Sequence, residues 1–313
     1  MPNSELAGRR GKVSKAAATL QKCGKVQYGN RRAKADLEEG ALGWRKREGR
    51  RNMRAVIIIP TYNERENIGP LIEALQDQFH AMRHEMSILV VDDNSPDRTA
   101  QAVASMRGAH GNLHLIEGSK SGLGSAYVRG IRHALDELDA DAVFQMDADF
   151  SHQPKDVPRL IAALDAGADF VIGSRYVQGG SIPVEWGIAR RLLSFGGNLI
   201  TRQVAGLRQV HDCTAGFRGI RTSLLRQIDF GRLHVQGYAF LVALLFEARA
   251  KGARIEEIPV EFVERRSGRS KLGLYDVVEF GLNIGRLGCR RAWGARCGRL
   301  ASFRFAPLRR LGH

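Results

Sequence analysis

Apolar residues in this chain fall into two kinds of pattern that take turns along it. Short unbroken runs, rich in β-branched side chains, are followed by stretches whose apolar positions recur at helical spacing. Ala55-Val56-Ile57-Ile58-Ile59 is the first such run. A run without polar alternation suits a strand covered on both faces. Pro60-Thr61-Tyr62-Asn63 ends it, and Ile68, Leu71, Ile72 and Leu75 then fall three and four apart, as on one face of a helix. Ser87–Val91, His114–Ile116, Ala142–Met146 and Phe170–Gly173 read as further strands. Thr99–Met106, Ser125–Leu138 and Val157–Leu164 read as the helices between them. This alternation predicts an α/β domain with a mostly parallel sheet and helices on both faces. In such sheets ligands bind beyond the carboxyl ends of the strands, and the polar motifs of this chain fall there. Tyr238–Phe246 is the longest apolar run, of core-helix length. No run reaches the roughly 18–20 residues that a bilayer-spanning helix requires.

Charge divides the chain into three parts. The 313 residues carry a net charge of +15, but 53–285 carry only −2, whereas 1–52 carry +9 and 286–313 carry +8 with no acid at all. The domain is therefore placed at 53–285, between a basic extension at 1–52, expected to be disordered, and a basic tail at 286–313. Cationic tails suit anionic surfaces, either phospholipid headgroups or nucleic acid. Nucleic acid is disfavoured because the charge lies outside the domain and no recognised nucleic-acid motif occurs. Four cysteines without a C-x-x-C pair give no zinc or disulfide framework. The N-terminus has no apolar signal-peptide core, so a cytoplasmic chain is expected.

Four groups of residues carry candidate chemistry. Asp147-Ala148-Asp149 follows an apolar strand, and carboxylates one residue apart there converge on a divalent cation or its water shell. A polar turn is the alternative. Asp92-Asp93 ends an earlier strand; one acid is expected to cap the helix near Asp97–Thr99 and the other to accept hydrogen bonds from a nucleobase or ribose. Lys120-Ser121-Gly122-Leu123-Gly124-Ser125-Ala126 lacks both the Lys-Ser/Thr end of a Walker A loop and the third glycine of a dinucleotide loop, which disfavours an NAD-dependent oxidoreductase. Arg175, Arg190, Arg191, Arg265 and Lys271 follow the sheet, and guanidinium forks suit phosphate oxygens. The Gly/Ser-rich segment 267–273 looks like a cationic lid.

Together these segments resemble the family 2 glycosyltransferases of GT-A fold, and more closely the dolichyl- or polyprenyl-phosphate mannose synthases. The matching stretches are 60–67, 91–97, 120–127, 146–152, 173–176, 212–218, 236–240 and 265–273, in order along 55–285. The resemblance implies an inverting transfer of mannose from GDP-mannose to a polyprenyl phosphate, with Mg²⁺ or Mn²⁺. It implies that Pro60, Tyr62, Glu64, Val91 and Asp93 hold the guanosine. Asp147, Ala148 and Asp149 would then lie by the ribose, diphosphate and metal, with Asp149 the main ligand. Arg175, Arg265 and Lys271 would bind the diphosphate and the acceptor phosphate, which makes Asp149, Arg265 and Lys271 the catalytic set. Ser194 and a stretch resembling W-x-x-x-R-R, here Trp186 to Arg190-Arg191, would lie near the acceptor. Some relatives carry Gln where this chain has Ser151, a poorer metal ligand whose place a water would fill. A related transferase using UDP-glucose is the alternative.

The chemistry agrees with these residues. A phosphate monoester has a second pKa near about 6, so the acceptor is already largely dianionic and needs no general base. What the reaction demands is a cation at the leaving diphosphate and cations that bring two anions together. A lipid acceptor also demands a membrane surface, expected to be the cytoplasmic face, with the tail 286–313 or a membrane-anchoring partner subunit as the attachment. Apolar positions at helical spacing in 275–285 suggest either a helix on the membrane or an ordinary packing helix.

Overall fold

The computed structural model describes residues 52–233, 237, 239–265 and 280–292. The extension 1–51, the segment carrying Lys271 and the tail beyond residue 292 lie outside the described residues.

Among the described residues seven strands are formed, by Arg54–Thr61 (β1), Glu85–Asp92 (β2), Leu113–Glu117 (β3), Ala142–Gln145 (β4), Phe170–Ser174 (β5), Arg218–Arg221 (β6) and Ile255–Pro259 (β7). They make one sheet in the order β3-β2-β1-β4-β6-β5-β7. β1 runs parallel to β2 in a register from Arg54↔Glu85 to Thr61↔Asp92, and parallel to β4 from Ala55↔Ala142 to Ile58↔Gln145. β6 is antiparallel to both β4 and β5, while β7 returns parallel to β5.

The unbroken run in β1 is explained by cover on both faces. Ala55, Ile57 and Ile59 join one buried cluster and Val56 and Ile58 the other. The first cluster is completed by the helices Arg65–Phe79 (α1), Thr99–Met106 (α2) and Val157–Asp165 (α4), which contribute Leu71, Val103 and Leu160. The second is completed by Leu123–Asp136 (α3) and Ala239–Ala250 (α7), through Tyr127, Ile131 and Phe240. Each such aliphatic side chain withdrawn from water stabilises the fold by roughly 1.5–3 kcal/mol. α3 approaches β1 closely because Gly130 is opposite Ile58: a Cβ there would stand 2.6 Å from the Ile58 methyl.

Two further helices matter for the site: Ile188–Val204 (α5) and, after the four-residue turn of helix Thr222–Leu225 (α6), the helical residues 280–292 (α8). α8 buries Ile284 and Leu287 in the core and runs across the 285/286 boundary that charge alone suggested. Among the described residues no helix is long and apolar enough to cross a membrane.

β6 is a strand that the apolar pattern does not show. Arg218 is fully buried and donates to the carbonyls of Ala215 (2.7 Å) and Cys213 (2.9 Å) and to that of Leu241. Burial brings its pKa down to about 10, which leaves it charged at neutral pH. Arg221 donates to the carbonyls of Ala168 and Leu164, closing the end of α4. Gly219 between them lets the Phe144 ring lie against the strand, because a Cβ there would stand 2.6 Å from it.

Candidate active site

The parallel strands β1, β2, β4 and β5 open their carboxyl ends onto one crevice, and the exits of β1 and β2 form its first wall. Asp92 is fully buried and ties the two exits together. Its Oδ1 accepts from Thr61 Oγ1 (2.7 Å) and Ser95 Oγ (2.6 Å), and its Oδ2 from the Ser95 amide (2.8 Å). Asn63 takes a left-handed backbone (φ 57°), which asparagine tolerates, and its amide donates to Ser95 Oγ. Asp93 is paired instead with Arg129 of α3 at 2.5 Å. Neither Asp92 nor Asp93 caps α2: its cap position is Arg98, without a side-chain cap, and the acid that bonds the first turn is Asp97, whose Oδ1 accepts from the Thr99 amide and hydroxyl. Pro60 and Val91 are partners across β1 and β2, with the Val91 side chain in the core. Lys120 stands 3.6 Å above the Tyr62 ring, and Glu64 accepts from Asn67. Pro60, Tyr62, Glu64, Val91 and Asp93 thus gather along one wall.

β4 stops at Gln145, one residue earlier than expected, and delivers Asp147, Ala148 and Asp149 to the crevice floor. Two turns fix the acids. The Asp147 amide donates to His152 Nδ1 (3.1 Å), so that nitrogen carries no proton. The 4.0 Å separation between it and the Asp147 carboxylate is therefore not an ion pair. Burial also lowers the His152 pKa, in agreement with a neutral ring. That ring stacks on Phe217 and meets the Phe262 edge, with centroids 5.1 and 5.5 Å away. Asp149 Oδ1 accepts from the Ser151 amide (3.1 Å) and hydroxyl (2.6 Å). Phe150 between them is left-handed, at φ 64°. A non-glycine residue held there signals a locally imposed geometry.

Positive charge reaches these acids from the end of the 262–265 segment. Arg265 Nη2 lies 3.7 Å from Asp149 Oδ2. The Val263 amide donates to the Ser151 carbonyl, which holds this segment against the acid turn. The Asp147 carboxyl faces the crevice with its side chain 36% exposed, yet surrounding protein raises its pKa. Asp149 and Glu64 add to that rise, while Arg265 acts against it. The floor is thus short of positive charge. Two hard carboxylates in such a place fit a divalent cation. Among the described residues no group of three His, Cys, Asp or Glu gathers to cage one, so further ligands would come from a diphosphate and water, the usual pattern for Mg²⁺. Ser151 Oγ is committed to Asp149, which leaves it supporting that carboxylate.

The far wall is aromatic and cationic. Arg175 is held by fully buried Asp212 through Nε–Oδ2 (2.7 Å) and Nη2–Oδ1 (2.8 Å), and Nη2 also donates to Thr214. Much of its donor capacity, expected at the diphosphate, is engaged within the protein. Arg190 donates to Glu264, the neighbour of Arg265, and lies 4.1 Å over the Trp186 ring, whose Nε1 donates to the same Glu264. Ser194 hydrogen-bonds the Tyr176 hydroxyl at 2.7 Å. Arg191 donates to the Val184 carbonyl. Asp147, Ala148, Asp149, Ser151 and Arg265 therefore converge, and Arg190 and Ser194 border them. Sequence reasoning gave no role to His152, Phe217, Asp212 or Arg129. The first three stand in motif segments, but their role is to orient neighbours, which spacing alone does not reveal.

Comparison with known proteins follows from this geometry. The family model described as Glycosyl transferase family 2 matches residues 56–229. The chain is 40% identical over 242 residues to the undecaprenyl-phosphate mannosyltransferase of Micrococcus luteus, covering 77% of this chain and 96% of that protein. It is 39% identical over 247 residues to the polyprenol monophosphomannose synthase of Mycolicibacterium smegmatis, covering 76% and 90%. The solved glucosyl-3-phosphoglycerate synthase of Mycobacterium tuberculosis, in complex with Mn²⁺ and uridine-diphosphate-glucose, aligns with a TM-score of 0.53 at 18% identity over 76% of this chain and 78% of its own. That likeness concerns the fold, and it agrees with the α/β architecture of the GT-A type. With these sequence matches, a sheet of this order and an acid pair at the end of β4, the chain belongs to glycosyl transferase family 2 and is a glycosyltransferase.

Proposed function

We propose that this chain transfers mannose from GDP-mannose to a polyprenyl phosphate with inversion, giving polyprenyl-phosphate mannose and GDP. The observation that carries this reading is the approach of Arg265 to Asp149 at the carboxyl end of β4, where an acid pair short of positive charge meets a guanidinium. The names of the two bacterial relatives support the sugar and the acceptor class.

Asp147 and Asp149 would hold Mg²⁺ or Mn²⁺, which supplies positive charge to the departing diphosphate. Ser151 and the left-handed Phe150 keep the Asp149 carboxylate turned into the crevice. Arg265 brings a fork of donors to the same place, suited to phosphate oxygens of donor or acceptor. Tyr62, Glu64 and Asp93 line the wall where the nucleoside would lie, with Arg129 fixing Asp93. Lys271 belongs to the same reading as a second cation. No general base is required, because the acceptor phosphate is already an anion. His152, with Nδ1 engaged by the Asp147 amide, orients that carboxylate and takes no proton from the acceptor. The lipid acceptor places the enzyme at a membrane surface, on the cytoplasmic side.

A donor panel tests the reading. The purified full chain is given a short polyprenyl phosphate, Mg²⁺, and either GDP-mannose or UDP-glucose. Release of GDP with formation of a mannosylated lipid is expected, lost in excess EDTA and restored by Mg²⁺ or Mn²⁺. Turnover with UDP-glucose alone would replace the donor, and turnover in EDTA would remove the metal from the account.

A further inference from the structure

Two arginines stand on the far wall, and the structure holds them in opposite ways. Arg175 gives two nitrogens to fully buried Asp212 at 2.7 and 2.8 Å, and its own side chain is only 10% exposed. Arg190 reaches Glu264 with one nitrogen, Nη1, which spans both carboxylate oxygens at 3.2 and 3.3 Å. Tight charge-assisted pairs close to about 2.7–2.9 Å. The Arg190 and Glu264 side chains are 41% and 39% exposed, so water screens the attraction between them. Among the described residues, Arg190 Nε and Nη2 have no hydrogen-bond partner. One arginine is fixed within the protein, and the other carries a loosely held anion.

Each member of that loose pair has a second support. Trp186 is buried, and its Nε1 donates to Glu264 Oε2 at 2.8 Å. Arg190 lies 4.1 Å over the Trp186 ring. Separation of the pair therefore leaves both groups near their places. Ser194 lies one helical turn beyond Arg190 on α5, and Arg265 follows Glu264 in the chain. An anion that takes Arg190 is thereby brought to the segment that carries Arg265.

We propose that Glu264 is an internal competitor for the acceptor: its carboxylate occupies the phosphate position on Arg190, yields it to a phosphate monoester dianion, and takes it back after transfer. The inference rests on the polyprenyl-phosphate reading of the acceptor and deepens it. A dianion attracts the guanidinium more strongly than a single carboxylate does. Transfer joins an acceptor oxygen to the sugar C1 as the bond from C1 to the donor diphosphate breaks, and GDP leaves with that electron pair. The esterified phosphate keeps one of its two negative charges, which only matches the charge of Glu264. The carboxylate then competes on equal terms, and the product is released.

The test compares the full chain with Glu264→Gln, whose amide oxygen still accepts from Trp186. Glu185→Gln, at an exposed acid beside Trp186, removes the same charge without freeing Arg190. Thermal melting checks the fold, and Glu264→Ser is the second variant if Gln disturbs it. Calorimetry measures binding of a short polyprenyl phosphate and of its methyl diester, a product-like monoanion, and initial rates give the acceptor KM. Glu264→Gln is expected to bind both about two- to fivefold more tightly, the range for a half-exposed ion pair, and to lower the acceptor KM to match. Glu185→Gln should bind as the parent does, and in an Arg190→Gln background Glu264→Gln should add nothing. Unchanged or weaker binding by Glu264→Gln overturns the proposal. So does an equal gain from Glu185→Gln, or a gain that survives without Arg190. Binding in the expected pattern without transfer from GDP-mannose leaves the exchange standing while the reading of function falls. Transfer with an unaltered acceptor KM in Glu264→Gln does the reverse, and a parent that binds neither ester overturns both.

Discussion

Arg265 Nη2 lies 3.7 Å from Asp149 Oδ2, while the other oxygen of Asp149 is bound by Ser151. One acid is thereby aimed by a hydroxyl on one side and faced by a guanidinium on the other. Phosphate oxygens brought to this point would meet donors already in place, and such preorganisation acts mainly on the transition state. Arg265→Gln is expected to lower kcat by roughly 10²–10³, the usual effect of deleting one positioned donor. Initial rates at saturating donor measure it. An unchanged kcat would make the contact a structural one.

The buried pair of Arg175 and Asp212 sets a stability prediction with a pH sign. Burial pushes the Asp212 carboxyl up, but Arg175 outweighs it and the net pKa is lowered. A carboxyl lowered in the native state contributes stability that is whole above its unfolded value, about 3.9, and is lost as pH falls through the folded value. Asp212→Asn leaves the Arg175 charge buried and unpaired, and is expected to cost about 3–5 kcal/mol at neutral pH. Urea unfolding of parent and variant from about pH 7 down to about pH 3 should show the gap narrowing at the acid end. A gap that is constant with pH would contradict the assignment.

Gly216 leaves room for the acid turn. A Cβ there would stand 3.2 Å from His152 Cε1 and 3.4 Å from Asp147 Oδ2. Gly216→Ala should shift the imidazole and the carboxylate it orients, with a fall in kcat of roughly tenfold. The melting temperature should move little, because a displacement of a few tenths of an ångström does not open the core. A variant with lowered melting and unaltered kcat would show that Gly216 serves packing alone.

The thiols offer a check on the fold that is independent of function. Cys213 is buried, and burial pushes its thiol up to about 12, whereas Cys289 on α8 is exposed. Thiolate, not thiol, attacks alkylating agents. Iodoacetamide on the native protein at pH near 8, followed by peptide mapping, should label Cys289 and spare Cys213, and denaturant should equalise the two. Rapid native labelling of Cys213 would contradict the packing of α5 over it.

Much of the sheet was legible because β1, β2 and β5 are covered on both faces, and such strands announce themselves as unbroken apolar runs. β6 was not, because Arg218 and Arg221 are solvated by backbone carbonyls rather than water, a solution that a hydropathy pattern reads as surface. α5 was not read as an element although Ile188, Leu192, Phe195 and Leu199 recur at helical spacing; what the pattern could not tell is that this stripe faces outward while Asn198 and Thr201 face inward. At the site, the acids Asp147 and Asp149 were legible from their place after a strand. Asp92 was legible only as an acid: its role, binding two loop exits through Thr61 and Ser95, depends on a neighbour that the sequence places 31 residues away. The same holds for Arg175, whose partner Asp212 is 37 residues on.

The most direct measurement isolates the lipid product formed from GDP-mannose and a short polyprenyl phosphate by the full chain and by Asp149→Asn. Mass spectrometry gives the added hexose and the one-bond C1–H1 coupling gives the anomer. The account predicts a β-mannosyl phosphate from the parent and a rate lower by orders of magnitude from the variant, with its melting curve preserved. No lipid-linked hexose from the parent, an α-linked product, or full activity in Asp149→Asn would contradict it.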